Sequence, residues 1–500
     1  MDPSGSSPGG STASVPDPLP VRRTAAPPWP DRVVPTWVDP VAAQASEAVG
    51  GPWGRHAVTG RALFWTPLRV CLLFTSLVLS LAWIKQAPCA DGNWTGHLQY
   101  THFCYSDAVP LFGIHGLDKG QIPYLDSPVE YPVLIGGFMQ LAAMIAGGYD
   151  HLAASVGVLP HVPPVESFYV VNCLLLACLA LLVTRAVLPL AGRRPWDAAL
   201  VGLSPLLLVH AFTNWDLIAV ALSTLGMWAW ARNRPVLCGL LLGLGVAAKL
   251  YPLLLLGGPF LLCLRAGRLR PWAVATAAAA VAWVAVDLPI ALLAPANWAR
   301  FFTLSGERPA NPETLWNMAL YWSGNRILDG PLQAGQTPTV LNTAVAVVLV
   351  VAVVAISVLA LTAPVRPRVA QIAFLLVAAF LLLNKVWSPQ YSLWLLPLAA
   401  LARPRWRSLL FWQATEAVVW VVTLLNLLGD DNKGIDTRWF FLGVGVRDVV
   451  VVVLMALVVR EIWMPDRDVV RTSWPGTDDP AGGPLDGAAD RWTLRRASAR

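Results

Sequence analysis

Apolar blocks of roughly 17 to 25 residues recur along this 500-residue chain, the length that crossing about 30 Å of hydrocarbon demands. In lipid a helix satisfies its own backbone donors and acceptors, so such a chain folds as a helical bundle. The blocks expected to span are 67–84, 167–187, 196–212, 216–231, 235–248, 251–265, 271–294, 338–362, 369–385, 389–402, 406–428 and 439–460. The expected fold class is all-α: a polytopic membrane protein of about 12 transmembrane helices, forming one domain over residues 61–463. A composition of 56% hydrophobic and 13% charged residues excludes an ordinary soluble enzyme.

Charge sets the orientation. The formal net charge of +6 invites a nucleic-acid reading, but the Lys and Arg residues flank apolar blocks instead of forming a patch. That pattern marks cytoplasmic connectors. They are Arg61 and Arg69, Arg193-Arg194, Arg232 to Arg234, Arg265 to Arg270, Arg366 to Arg368, Arg403 to Arg407, and Arg460. With the spans above, all fall on one side. The apolar stretch 131–148 would break this agreement if it crossed, because every later connector would flip. It opens at Pro132 and carries paired glycines, so it is expected to be a juxtamembrane or re-entrant helix within a first outer loop, 85–166. A second long outer loop covers 295–337.

Residues 1–60 and 464–500 are rich in Pro, Gly, Ser and Ala or in mixed charge, and are expected to be disordered cytoplasmic tails. The first span reads as a retained signal anchor. The protein is thus expected in the cell membrane, multi-pass, with both termini cytoplasmic.

The same parity gathers the polar motifs at the outer face, around one cavity. Asp107 lies in an aromatic setting, where partial shielding raises a carboxylate's pKa and suits it to accept a proton from a hydroxyl. A loop aspartate or a helix N-cap is the plainer role. Asp216, after Asn214-Trp215, has the same capping alternative. Lys249 and Lys385 each end an apolar helix beside Tyr and Pro; such a charge either meets an anion or snorkels to the interface. Arg300, Arg308 and Arg326 run against the positive-inside trend in the second outer loop, as an anionic ligand there would explain. Cys89 and Cys104 pair if the loop faces an oxidising compartment, and are otherwise two free thiols. His102, His115 and His210 lack metal-ligand spacing, and neither a Gly-x-Ser-x-Gly elbow nor a Walker loop occurs.

Four segments, in order, resemble the family 87 glycosyltransferases of the GT-C superfamily, which use polyprenyl-phosphate sugars. They are Asp107 with Gly120-x-x-Pro123-Tyr124 and Glu130-Tyr131-Pro132; Asn214-x-Asp216; the Gly-rich helix 239–248 ending in Lys249-Leu250-Tyr251-Pro252; and Lys385-x-Trp387-Ser388-Pro389-Gln390-Tyr391. The resemblance spans about residues 65–460, with Tyr131-Pro132-Val133 where the family commonly has Tyr-Pro-Pro. It implies a GT-C-like bundle with juxtamembrane helices in the first outer loop. It also implies inverting transfer of a sugar, mannose by the family default, to a glycolipid or glycan acceptor. Asp107 would be the general base, and Lys249, Lys385 and Arg308 would hold the donor phosphate. Substrate contacts would come from Tyr124, Glu130, Tyr131, Asn214, Asp216, Tyr251, Trp387, Gln390 and Tyr391. The expected partners are the bilayer, the lipid-linked donor and the acceptor, with no nucleic acid and no obligatory metal. The rival reading is a secondary transporter or lipid flippase, which would favour a midplane site and internal repeats.

Overall fold

The computed structural model describes residues 65–494 except Pro331, Ala334 and Pro475; the expected N-terminal tail lies outside the described residues. The helices that matter below are, in chain order, α1 Pro67–Gln86, α2 Ala108–Ile114, α3 Val133–Ser155, α4 Pro164–Ala191, α5 Pro205–His210 and α6 Asp216–Ala231. They continue with α7 Pro235–Ala248, α8 Gly257–Ala266, α9 Leu269–Leu293, α10 Pro295–Glu307 and α11 Leu315–Trp322. The last are α12 Thr339–Thr362, α13 Val369–Leu383, α14 Ser392–Ala402, α15 Trp406–Leu428 and α16 Thr437–Trp463.

Seven described helices are long and apolar enough to cross a membrane: α1, α3, α4, α9, α12, α15 and α16. Six of these match expected spans. The other six expected spans are shorter or broken helices. Seven segments reach spanning length only if α3, expected to be re-entrant, is counted, and the full number of twelve is not confirmed among the described residues. Proline is the local cause. Pro205, Pro235, Pro252 and Pro389 each stand at the first or second position of a helical segment, where a missing N–H costs nothing but an approaching helix must stop. Burial is the second cause. The short α13 and α14 are almost wholly covered by neighbours, whereas α9 and α12 keep most of their surface outward. An interior helix need not match the bilayer's thickness, because protein covers its ends.

The Gly-rich run in α7 has a packing reason. A Cβ on Gly239 or Gly243 would lie 2.0 Å from the Ala275 carbonyl oxygen or 2.2 Å from that of Ala279. These glycines let the α7 and α9 backbones meet, the small-residue packing that substitutes for a hydrophobic driving force in lipid. The close approach fixes where α7 ends, and therefore where Lys249 stands.

The bundle has two chemically distinct ends. At one, Lys85 at the close of α1 donates to the carbonyls of Phe103 and Val209, and Tyr169 near the start of α4 donates to that of Phe212. At the other, Arg368 donates to the carbonyls of Leu401 and Ala402, and Arg403 pairs with Glu461 at 3.1 Å. Residues 465–494, read from composition as a tail, are seated on this basic end. Asp468 pairs with Arg368 at 2.7 Å, Asp490 with Arg265 at 2.8 Å and with Arg366 at 3.4 Å, and Trp230 donates to the Gly482 carbonyl. Complementary charge holds the segment together with a few buried apolar residues, Val470, Leu485 and Ala488 among them, too few for composition alone to suggest anything but a tail.

Helix α3 is long enough to span, but both its ends contact the same end of the bundle. At its start, Tyr131 meets the Trp215 ring at 5.5 Å, and the Trp215 indole donates to Asn172. Near its finish, Asp150 accepts from Ser167 at 2.6 Å. Residues 133 and 150 are about 25 Å apart along a helix, whereas 167 and 172 are about 7.5 Å apart. The helix therefore runs across the start of α4, not alongside its length. The loop preceding it is tied by a disulfide between Cys89 and Cys104.

Candidate active site

Asp107 stands at the N-cap position of α2, yet its carboxylate caps nothing. Ser106 Oγ accepts from the Ala108 N–H instead. That frees the carboxylate, which the Asp107 N–H bond to the Thr213 carbonyl (2.9 Å) holds against the 212–215 turn. Tyr105 Oη donates to Asp107 Oδ1 at 2.7 Å, and Asn214 Nδ2 donates to Oδ2 at 2.5 Å. Asn214 Nδ2 also donates to Tyr131 Oη at 2.9 Å, while its Oδ1 accepts from Lys249 Nζ at 3.3 Å. One amide thus bridges an acid, a phenol and a lysine from three separate segments.

Lys249 Nζ is further held by Asp216 Oδ1 at 3.6 Å and by the Tyr131 and Tyr391 ring faces at 4.8 and 5.5 Å. Asp216 is the first residue of α6 but makes no capping bond; it accepts from the Trp394 indole at 2.7 Å. Beside it, Tyr251, Trp394 and Tyr391 form a stack with centroid spacings of 4.4 and 4.1 Å. Opposite, Arg308 pairs with Glu130 at 3.1 Å, and Lys385 Nζ donates to the Gly306 and Arg308 carbonyls at 3.0 and 2.7 Å.

These groups enclose a cavity of about 450 Å³ whose wall includes Asp107, Glu130, Tyr131, Asn214, Lys249, Tyr251, Arg308, Lys385, Gln390 and Tyr391. That volume lies in the usual range for a small-molecule site. Phe301, Leu304 and Phe380 supply an apolar side.

Three expected contacts lie outside the wall. Tyr124 is buried below it, its hydroxyl donating to the Tyr131 and Pro132 carbonyls at 3.0 and 2.8 Å. Trp387 packs behind it, under the Arg447 guanidinium. Asp216 acts on the cavity through Lys249. Arg300 pairs with Glu307 at 3.6 Å and does not line the cavity. Residues that line or support the site without having been expected as contacts include Tyr105, which the sequence reading placed only in the aromatic setting of Asp107, and Trp394, three residues after Tyr391. Their aromatic character beside charged motifs is the available signal.

Electrostatics separates the acid from the cations. Burial pushes the Asp107 carboxyl above the ordinary aspartate range, while the bonds from Asn214 and Tyr105 and the nearby Lys249 charge oppose that push. Burial, with the adjoining Asp107, also drives the Tyr105 phenol upward, so it keeps its proton and remains a donor. Lys385, in the loop after α13, is lowered to about 8 by burial and by the Arg308 charge. A buried carboxylate thus shares one cavity with three cations: Lys249 beside it, joined through Asn214, and Arg308 and Lys385 elsewhere on the wall. Among the described residues no three His, Cys, Asp or Glu side chains converge in the manner of metal ligands. The family model described as glycosyltransferase family 87 matches residues 151–389 of the chain. No curated protein matches it.

Proposed function

We propose that this chain is a membrane glycosyltransferase of family 87 that transfers a hexosyl unit, mannose by the family default, from a polyprenyl-phosphate donor to a hydroxyl of a glycolipid or glycan at the outer face of the cell membrane. The observation that carries this reading is the division of one cavity between a hydrogen-bonded carboxylate, Asp107, and the cations Lys249, Arg308 and Lys385. The acceptor oxygen attacks the anomeric carbon and its proton passes to Asp107. The bond from that carbon to the phosphate oxygen breaks, and its electron pair leaves with the polyprenyl phosphate. Attack opposite the leaving group inverts the anomeric centre.

The leaving phosphate gains one negative charge as the bond breaks, so cations fixed in advance stabilise the transition state more than the bound donor. Those cations supply the counter-charge without an obligatory metal. The apolar wall of Phe301, Leu304 and Phe380 suits the lipid end of such a donor. Inhabiting a membrane, the site draws on a lipid-linked sugar and needs no soluble nucleotide sugar.

Asp107→Asn tests the reading. An asparagine there can still accept from Asn214 through its oxygen and donate to Tyr105 Oη through its nitrogen, so the fold is retained. Transfer from radiolabelled polyprenyl-phospho-mannose to extracted membrane lipids is expected to fall by about 10²–10⁴-fold, the range for losing a general base. A folded, inserted Asp107→Asn protein with full transfer activity removes Asp107 from this role.

A further inference from the structure

Arg447 sits mid-way along α16 with its side chain wholly inaccessible. A guanidinium in a membrane helix is costly and calls for a reason. Its contacts supply one. Nε donates to Asp448 Oδ1 at 2.8 Å, which offsets the charge. Nη2 donates to the Glu313 carbonyl at 2.5 Å, and the guanidinium lies 3.7 Å from the Trp387 ring centroid. Glu313 and Trp387 belong to two loops that carry cavity cations: Arg308 on the first, Lys385 on the second.

Those loops are also sewn to each other. The Asn311 N–H donates to the Lys385 carbonyl at 2.8 Å, and Lys385 Nζ donates to the Gly306 and Arg308 carbonyls. The Trp387 indole N–H is buried without a hydrogen-bond partner. No hydrogen bond holds that ring; it is packed in the apolar core, and the Arg447 guanidinium is the charged group seated on its face. From this we infer that Arg447 is a positioning residue: it clamps the 308–314 and 384–391 loops from behind and so sets the spacing of Arg308 and Lys385 across the phosphate-binding wall.

The phosphate assignment rests on the proposed function, but the clamp does not, and the experiment separates them. Full-length protein in lipid nanodiscs is compared as wild type, Arg447→Gln, Arg447→Lys, Trp387→Phe and the Arg447→Gln/Trp387→Phe double variant. The first readout needs no donor: the pH dependence of Lys385 acylation by a water-soluble ester, followed by mass spectrometry. In wild type its midpoint is expected at about 8. Opening the clamp solvates Lys385, so Arg447→Gln is expected to move the midpoint upward by about one unit or more, with Arg447→Lys in between.

The second readout is transfer from polyprenyl-phospho-mannose. Arg447→Gln is expected to raise KM about tenfold with a smaller change in kcat, the cost of a slightly misplaced binding group. Trp387→Phe is expected to give part of that rise, and the double variant no more than Arg447→Gln alone, because the two act as one unit. An unchanged Lys385 midpoint in folded Arg447→Gln, or additive effects in the double variant, overturns the clamp. A shifted midpoint in a protein that does not use the lipid phosphate upholds the clamp and rejects the donor.

Discussion

Around Asp107, two titrations set opposite limits on catalysis. As a base it acts only when ionised, so activity is lost as pH falls through its raised pKa, above the usual 3.8. Lys385 acts only when protonated, and its pKa of about 8 means its charge is lost as pH rises past that value. A bell-shaped kcat/KM profile is expected, its alkaline limb near 8. Lys385→Arg is expected to abolish that limb, because a guanidinium does not deprotonate in this range. A wild-type rate flat to pH 10 would remove Lys385 from the charge-bearing role. Much of this was visible in the chain: Asn214, Lys249 and Lys385 each stand where apolar sequence stops, and Asp107 stands in an aromatic stretch of the first outer loop. Their mutual bonding was not, since one amide joining Asp107, Tyr131 and Lys249 depends on tertiary placement. Arg447-Asp448 was legible and passed over; an Arg-Asp pair inside a 27-residue apolar helix is itself the signal.

Helices carry the next level of control, and α3 shows how. Its start positions Tyr131, and that start rests on the buried Tyr124 ring. Tyr124 itself has a left-handed backbone, φ 68°, held in a turn that Asn297 of α10 grips by donating to the Tyr124 carbonyl at 2.6 Å. A Cβ at Gly136 would lie 2.2 Å from the Tyr124 ring, whereas one at Gly137 meets nothing within 4 Å. Gly136→Ala is therefore expected to cost about 1–3 kcal/mol through overpacking and to lower the thermal midpoint. Gly137→Ala is expected to leave it unchanged or slightly higher, by improved helix propensity. Equal midpoints for the two variants, read by thermal unfolding in detergent, would detach α3 from this seat. Hydropathy located these helices well, but not their lengths. It scores apolar content, which a lipid-facing helix such as α12 shares with an interior one such as α13, and only packing tells which must span.

At the scale of the whole molecule, the site and the arginine-rich end are opposite, and α3 decides whether the charge rule can assign them to membrane faces. Its length and apolar content permit a crossing. Its contacts argue otherwise, because Tyr131 before it and Asp150 near its finish both meet the site end of the bundle. If it lies across that end, the connectors bearing Arg193-Arg194, Arg232 to Arg234 and Arg265 to Arg270 share one side, as a cytoplasmic assignment requires. If it spans, they stand on the side opposite to Arg69. Leu125 and Gly157 flank the helix and both are exposed. Single cysteines at these positions, in a protein whose unpaired native cysteines are replaced, are expected to react alike with a membrane-impermeant maleimide added to intact spheroplasts. Both should be labelled without permeabilisation if the site faces outward. Labelling of Leu125→Cys alone, with Gly157→Cys reached only after lysis, would make α3 a span and reverse the side of every later connector. Labelling of neither until lysis would keep α3 at the site end but turn that end toward the cytoplasm, where a disulfide between Cys89 and Cys104 would be out of place.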